Sequence, residues 1–174
     1  MPFFTLLRFL LLLVCCCSRQ YDDCLDLIKD CNAKPNTDID NTFAFISCQN
    51  KLNQTNGGCI IVPDGKYQLL NVILNTSNTI VYIDSSVTLI PYNGTCHSAH
   101  IFQLGSSTTF VNNISIIGVS STKYFLIDLA MNDTIDPSCN VTGISVMGID
   151  KFAISNINIQ ITSKLFQELS LIHI

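Results

Sequence analysis

The stretch that decides the fold begins Asp40-Asn41-Thr42-Phe43-Ala44-Phe45-Ile46-Ser47-Cys48-Gln49-Asn50-Lys51-Leu52 and resumes, after a polar turn, with Gly57-Gly58-Cys59-Ile60-Ile61-Val62-Pro63-Asp64-Gly65-Lys66-Tyr67. Its first part predicts a short helix, because Ala44, Phe45, Cys48 and Leu52 recur at the three-to-four spacing of one helical face. Asp40 is placed to cap the first turn of this helix.

The second part of the stretch predicts a short strand and an immediate bend. Residues 59–62 are apolar, and Pro63 and Gly65 then force the chain to turn before it can extend further. Residues 66–69 follow at once as a second short strand. A capped helix that leads into two short strands across a tight turn is typical of the start of a β-solenoid.

At these residues the chain resembles the start of the pectin lyase-like right-handed parallel β-helices, in particular the polygalacturonase-like enzymes of glycoside hydrolase family 28. The matching features are Asp40-Asn41-Thr42, Ala44-Phe45, Gly57-Gly58 and Val62-Pro63-x-Gly65-x-Tyr67. The resemblance implies that the helix caps the open end of a solenoid whose first coil begins at Gly57-Gly58. It rests on motifs over residues 40–67 and on repeat pattern as far as about residue 160.

Strand-like runs recur along the chain in sets of three. They fall at residues 59–62, 66–69 and 72–74, then 79–83, 87–90 and 101–104, then 113–117, 124–129 and 141–146, and a fourth set opens at 152–159. This repeat predicts an all-β, three-sided parallel β-helix of about three coils. A β-sandwich also gives many short strands, but the close spacing of these runs favours the solenoid.

Loops and turns separate the predicted strands. The sets differ mainly between their second and third strands, where residues 91–100 and 130–140 form long connections. Asn78, Asn112 or Asn113, and Asn140 stand just before strands. Because asparagine tolerates left-handed backbone, we expect these residues to form turns and a stacked ladder between coils.

The N-terminus predicts a secretory signal peptide over residues 1–18. Residues 3–17 are almost wholly apolar and are interrupted by Arg8, a run too short to span a bilayer comfortably as an anchor. Cys15-Cys16-Cys17 fits the tail of this signal better than an acylation or metal cluster. We therefore expect a secreted, extracellular or endolysosomal protein that has no stable membrane insertion after cleavage.

The remaining cysteines predict disulfides rather than a zinc site, because they are even in number and none forms a C-x-x-C pair. They are Cys24, Cys31, Cys48, Cys59, Cys96 and Cys139. We expect Cys48 to bond with Cys59, so that the helix is stapled to the first strand, and Cys24 to pair with Cys31. Cys96 and Cys139 lie in equivalent loops of consecutive coils, which predicts a third bond.

Asn-X-Ser/Thr sequons support the same compartment, since glycan acceptors need exposed positions in a secreted protein. They are Asn53, Asn75, Asn93, Asn113, Asn132 and Asn140. The net charge of −4 and only 9 Lys plus Arg argue against nucleic acid and against an electrostatically held membrane surface. A polysaccharide is the partner class that this composition leaves open.

The catalytic motifs of the polygalacturonase-like enzymes are missing at matching positions. The resemblance implies an Asn-Thr-Asp motif, an Asp-Asp pair, Gly-His-Gly and Arg-Ile-Lys, all on later coils. Asn36-Thr37-Asp38 spells the first motif but precedes the predicted helix and lies on no coil. Asp22-Asp23 lies beside the predicted cleavage site, so both matches are interpreted as coincidence.

Other candidate groups do not form a recognisable site in the sequence. Asp84, Asp128 and Asp150 lie in or just after predicted strands, but nothing fixes two of them at the separation that glycoside hydrolysis needs. His97 and His100 share a loop with no third metal ligand. We therefore predict no catalytic, cofactor-binding or metal-binding residue in this chain.

Two functions remain open from the sequence. The first is the N-terminal part of a secreted polygalacturonase-like hydrolase, with a Cys-containing segment at residues 19–39, the helix and first coils at 40–160, and no catalytic coils. The second is a non-catalytic, glycosylated β-helix that binds polysaccharide or mediates adhesion. Residues 161–174 predict an irregular or truncated tail, or alternatively a short capping helix with Leu165, Leu169 and Ile172 on one face.

Overall fold

The computed structural model describes residue 21 and residues 23–92, 99–129 and 141–160. Within them the chain forms one helix, α1 (Thr42–Gln54), and twelve strands. The strands are β1 (Leu25–Asp26), β2 (Gly58–Val62), β3 (Lys66–Leu69), β4 (Val72–Leu74), β5 (Thr79–Ile83), β6 (Thr88–Pro91), β7 (Ala99–Leu104), β8 (Ile114–Gly118), β9 (Phe125–Asp128), β10 (Val141–Val146), β11 (Phe152–Ser155) and β12 (Ile157–Gln160).

The strands form three sheets in which all pairs are parallel. The described part of the five-stranded sheet has the order β1-β2-β5-β8-β11, the four-stranded sheet β12-β9-β6-β3 and the three-stranded sheet β10-β7-β4. From β2 onward the chain visits the three sheets in turn, so each strand pairs with the strand three places later. This is a parallel β-helix with three coils and the start of a fourth, as the repeat pattern predicts.

The core consists of equivalent side chains that stack from coil to coil. In the five-stranded sheet Ile60 pairs with Val81, and Val81 pairs with Ile116. All three side chains are fully buried. Because side chains alternate across a strand, every second residue of each strand points inward and fills the interior. Each aliphatic residue buried there contributes roughly 1.5 to 3 kcal/mol.

Asparagines in the left-handed backbone region make several of the corners between sheets. Asn78 and Asn113 have φ angles of 56°, and the Asn113 Nδ2 donates to the Asn78 Oδ1 at 2.9 Å. This confirms the predicted turn and ladder at these two residues, whereas Asn140 lies outside the described residues. Asn156 has φ 58° and divides the predicted run 152–159 into β11 and β12. That run is therefore two strands on two sheets.

Helix α1 covers the first coil with the face that the sequence predicts. Its buried apolar residues are Ala44, Phe45, Cys48 and Leu52. The Phe45 ring meets the Phe102 ring edge to face, with centroids 5.4 Å apart. The Asp40 Oδ1 accepts the Thr42 backbone N–H at 2.8 Å, so Asp40 satisfies a first-turn donor although Asn41 occupies the N-cap position.

Two polar side chains of α1 satisfy the backbone next to and within β4. The Thr42 hydroxyl donates to the Leu70 carbonyl at 3.0 Å and accepts the Leu70 N–H at 2.8 Å. The Gln49 amide donates to the Ile73 carbonyl at 2.6 Å and accepts the Asn75 N–H at 2.9 Å. These side chains do what a neighbouring strand would do, so the helix protects an edge that would otherwise be open to pairing.

Replacing Gln49 with leucine should lower the free energy of unfolding by roughly 1 to 3 kcal/mol. The substitution leaves the Ile73 carbonyl and the Asn75 N–H without their side-chain partners, and unsatisfied buried backbone groups cost about that much. Urea unfolding of Gln49→Leu measures the loss. Gln54→Ala, on the exposed side of the same helix, should stay within about 0.5 kcal/mol of the wild type. Equal losses in the two variants would contradict the proposed edge contact.

The disulfides use the predicted N-terminal cysteines but in different pairs. Cys24 bonds with Cys59, with Cα atoms 4.7 Å apart, and Cys31 bonds with Cys48, with Cα atoms 5.5 Å apart. The predicted Cys48 to Cys59 and Cys24 to Cys31 bonds are therefore wrong. Ile60 is buried inside the coil, so its neighbour Cys59 points outward, whereas Cys48 is fully buried on the inner face of α1.

Strand β1 explains why Cys59 finds Cys24. Leu25 pairs with Ile60 and Asp26 pairs with Ile61, so β1 lies in register beside β2. Cys24 and Cys59 are therefore cross-strand neighbours on the outer side of the five-stranded sheet. The sequence did not indicate this extra strand, because a run of two residues has no detectable periodicity.

Some predictions fall outside the described residues. They are the signal peptide at residues 1–18, the Cys96 to Cys139 bond and the tail at residues 161–174. Among the residues that are described, no helix has the length and apolar character needed to cross a membrane.

Candidate polysaccharide-binding face

The outer face of the four-stranded sheet carries two rows of side chains that run along the solenoid. Strand register places Lys66, Thr88, Leu126 and Asn158 in one row, and Gln68, Ile90, Asp128 and Gln160 in the other. We call these eight residues the polar face. Successive strands of a sheet lie about 4.8 Å apart, so the rows present a polar or apolar group at regular intervals.

The polar face differs from the outer faces of the other two sheets. The five-stranded sheet turns Ile61, Ile80, Tyr82 and Ile117 outward, and the Tyr21 ring lies edge-on to the Tyr82 ring at 4.9 Å. The three-stranded sheet brings Ile73, Gln103 and Ser145 into one row. Amide or carboxylate side chains on three of its four strands, β3, β9 and β12, thus distinguish the four-stranded sheet.

The polar face can both donate and accept hydrogen bonds. Its amides do both, Lys66 supplies a cation and Asp128 supplies an acceptor carboxylate. Alternate residues Tyr67, Leu89 and Ile127 are fully buried, which fixes the backbone beneath the face. A rigid row of mixed donors and acceptors is suited to the hydroxyl and anionic groups of a polysaccharide.

The segment before the helix adjoins one end of the polar face. The Gln68 Nε2 donates to the Asp38 Oδ1 at 2.9 Å, and the Asn36 Oδ1 accepts the Lys66 N–H at 3.0 Å. Asn36-Thr37-Asp38 lies on no coil, as the sequence indicates. Its side chains nevertheless contact β3, a position that its place in the sequence did not reveal.

The three aspartates considered from the sequence lie at different places around the solenoid. Asp84 follows β5, Asp128 ends β9 on the polar face, and Asp150 precedes β11. Sequence reasoning missed Asp64, which lies in the turn after β2. Val62 pairs with Ile83, so this turn is stacked on the turn after β5 that begins with Asp84. The signal that could have found it is that each of these aspartates lies in the turn that follows a predicted strand.

The environment of Asp84 does not suit a general acid. Its Oδ1 accepts from the Ser86 hydroxyl at 2.5 Å and from the Ser86 N–H at 2.9 Å. The hydroxyl first, and then the backbone N–H, lower the pKa of the Asp84 carboxyl. Glycoside hydrolysis needs a carboxylic acid with a raised pKa, so the bonds to Ser86 favour a structural role in the turn.

His100 is part-buried on β7. Burial lowers the pKa of its imidazole, and its Nδ1 has no hydrogen-bond partner in the described part of the chain. The His100 backbone N–H donates to the Asn71 Oδ1 at 2.9 Å. His97 lies outside the described residues, and within those residues no group of three His, Cys, Asp or Glu could hold a metal ion.

Three of the predicted sequons can be located. Asn53 is at the end of α1, Asn75 directly follows β4, and Asn113 directly precedes β8, and all three residues are exposed. Asn93, Asn132 and Asn140 lie outside the described residues.

Comparison with known proteins finds similarity to iota-carrageenases. An iota-carrageenase from Alteromonas macleodii is 28% identical over 149 residues, which cover 84% of this chain and 29% of the relative. The crystal structure of an iota-carrageenase of family GH82 from A. fortis, without chloride ions, matches with a TM-score of 0.68 and 28% identity over 81% of this chain. No protein-family model matches the sequence.

A solved iota-carrageenase complexed to iota-carrageenan fragments matches equally well, with a TM-score of 0.68 and 28% identity over 81% of this chain. The chain covers 29% and 30% of these two solved proteins, so it corresponds to less than a third of either. The likeness supports a β-helix fragment that resembles polysaccharide hydrolases. The finer polygalacturonase type rests on the motifs at residues 40–67 alone.

Proposed function

We propose that this chain is the front part of a secreted β-helix polysaccharide hydrolase whose substrate is a sulfated galactan of the carrageenan class. The observation that carries the proposal is the match to iota-carrageenases at 27% to 28% identity with a TM-score of 0.68. One of these proteins is described as a galactohydrolase of sulfated galactose and anhydrogalactose units. Two disulfides support an oxidising, extracellular location.

Within this function, the chain supplies the cap, the first coils and a surface that holds polysaccharide. The polar face fits that task because its amides and carboxylate bond sugar hydroxyls, while Lys66 is placed to pair with a sulfate. The net charge of −4 repels a polyanion at long range. Binding would therefore depend on local contacts rather than on general attraction.

Changing Lys66 to glutamine should weaken binding of iota-carrageenan, because it removes the cation from the polar face. Affinity electrophoresis through gels containing the polysaccharide measures the loss as reduced retardation. Lys29→Gln is the matched control: Lys29 is 81% exposed and pairs with Asp26 at 3.4 Å, away from this sheet. Equal retardation of Lys66→Gln and the wild type would show that the polar face is not the binding surface.

The chain by itself is expected to release no reducing sugar from either iota-carrageenan or polygalacturonate. Asp84, Asp128 and Asp150 lie at three different places around the solenoid, and Asp84 has a lowered pKa, so the described residues suggest no acid and base pair. A reducing-end assay on the secreted chain checks this. Release that is lost when one of these aspartates is changed to asparagine would place a catalytic site here after all.

The second candidate function is a polygalacturonase-type hydrolase, which the motifs at residues 40–67 favour. Such an enzyme would have the same fold, and its catalytic motifs are likewise missing from this chain at matching positions. Its substrate carries carboxylates instead of sulfates. A non-catalytic module for polysaccharide binding or adhesion also uses the same scaffold, because fold alone does not set function. Preference for iota-carrageenan over polygalacturonate separates the first proposal from the polygalacturonase type.

A further inference from the structure

Two of the three sequons in the described residues, those at Asn75 and Asn113, differ in what their asparagine side chains contact. The Asn113 Nδ2 donates to the Asn78 Oδ1, and the neighbouring Asn112 N–H donates to the Ser77 Oγ at 3.1 Å. Asn113 is thus part of the ladder that joins the turns before β5 and β8. Its side-chain nitrogen, the atom to which a glycan would be attached, already donates a hydrogen bond to the neighbouring coil.

The Asn75 side chain is in the opposite situation. Asn75 is exposed, and within the described residues its side-chain amide makes no hydrogen bond. Its backbone N–H is held by the Gln49 Oε1, and the following Thr76 hydroxyl donates to the Asn53 Oδ1 at 2.8 Å. The backbone is therefore fixed on both sides of a side chain that points into solvent.

We propose that Asn75 carries an N-linked glycan in the secreted protein and that the ladder contact excludes one from Asn113. In the transfer, a lipid-linked oligosaccharide diphosphate gives up its C1–O bond while a C1–N bond forms to the asparagine Nδ2. The Nδ2 loses one proton and the lipid diphosphate leaves. At Asn75 the product needs no rearrangement of the fold, because no existing contact of the side chain is replaced.

At Asn113 the same product conflicts with the folded coil. A sugar on Nδ2 replaces one of the two amide hydrogens. It also adds bulk at the point where the Asn113 and Asn78 side chains of two stacked turns meet. The left-handed backbone of Asn113, with φ 56°, restricts how the side chain can move away. Chains that are modified at Asn113 therefore close the coil poorly and are depleted from the folded, secreted protein.

Site occupancy in protein secreted from a eukaryotic cell line tests the proposal. Enzymatic deglycosylation in heavy-oxygen water marks each formerly modified asparagine as an aspartate that mass spectrometry detects. The expected result is a marked Asn75 and an unmarked Asn113. An unmarked Asn75, or an Asn113 marked to the same extent as Asn75, would overturn the proposal.

Two variants separate the ladder from other causes. Asn75→Gln should lose one glycan and keep the thermal midpoint of the deglycosylated wild type, since the side chain holds nothing in place. Asn78→Gly keeps the left-handed backbone accessible but removes the acceptor for Asn113. Marking of Asn113 should appear in this variant. If Asn113 remains unmarked in folded Asn78→Gly protein, the ladder is not what excludes the glycan.

Discussion

Removal of the Cys31 to Cys48 disulfide, by changing both residues to alanine, is expected to lower the free energy of unfolding by roughly 3 kcal/mol. The bond joins residues 17 positions apart, and closing a loop of that size restricts the unfolded chain by about this amount. Both side chains are buried at the junction between the helix and the segment after β1. Urea unfolding without reductant measures the change.

A differently paired variant tests the connectivity itself. In Cys48→Ala with Cys59→Ala, the observed pairing leaves Cys24 and Cys31 as thiols, and both native bonds are lost. Thiol titration of the unfolded protein should detect these two additional groups, whereas Cys31→Ala with Cys48→Ala should add none. Two additional thiols in Cys31→Ala with Cys48→Ala would show that Cys24 and Cys59 are not bonded to each other, and would contradict the observed pairs.

Changing Gly148 to alanine is expected to lower the free energy of unfolding by roughly 2 to 5 kcal/mol. Gly148 has φ +64°, and a Cβ at this position would lie 2.1 Å from the Ser106 carbonyl oxygen. The left-handed backbone alone costs a side chain roughly 1 to 2 kcal/mol. The clash is with backbone, so the turns after β7 and β10 must separate to relieve it, and overpacking of this kind adds roughly 1 to 3 kcal/mol.

Gly105 makes the reciprocal contact and should respond in the same way. It has φ +75°, and its Cβ would lie 2.1 Å from the Met147 carbonyl oxygen. Gly143→Ala is the matched control, since its Cβ would meet only side-chain atoms, the nearest being the Ile159 Cδ1 at 3.3 Å. Thermal or urea unfolding that ranks Gly143→Ala as the most damaging of the three would contradict this coil stacking.

The sequence was sufficient to predict the repeat because each coil is encoded locally. Short apolar runs, turn residues and one capped helix are all readable within a few positions, and the strands of coils one to three lie where those runs predict. The family resemblance at residues 40–67 added the cap. Within the described coils the corner at Asn156 was missed, because Phe152 to Ile159 reads as a single strand when the left-handed residue in its middle is overlooked.

The contacts between segments that are distant in the sequence could not be predicted from it. The disulfide pairs depend on β1, a strand of two residues that is defined only by its pairing with β2. The Gln49 contact with β4 and the approach of Asp38 to Gln68 join residues 24 and 30 positions apart. Such contacts follow from how the coils stack, so the spacing of residues within one segment does not predict them.

The polar face was missed for the same reason. Gln68, Asp128 and Gln160 are unremarkable in the sequence, and they become one row only when β3, β6, β9 and β12 are placed in register. Asp128 was considered from the sequence as a possible catalytic group. The structure places it beside Gln160 on an outer sheet face, within the surface that we propose binds polysaccharide.

The preference of the secreted chain between two acidic polysaccharides tests the account most directly. Affinity electrophoresis in parallel gels, with iota-carrageenan, with polygalacturonate and with neither, gives the comparison in one experiment. The account predicts clear retardation by iota-carrageenan and little by polygalacturonate, because the chain resembles iota-carrageenases. Retardation by polygalacturonate alone, or by neither polysaccharide, would contradict it.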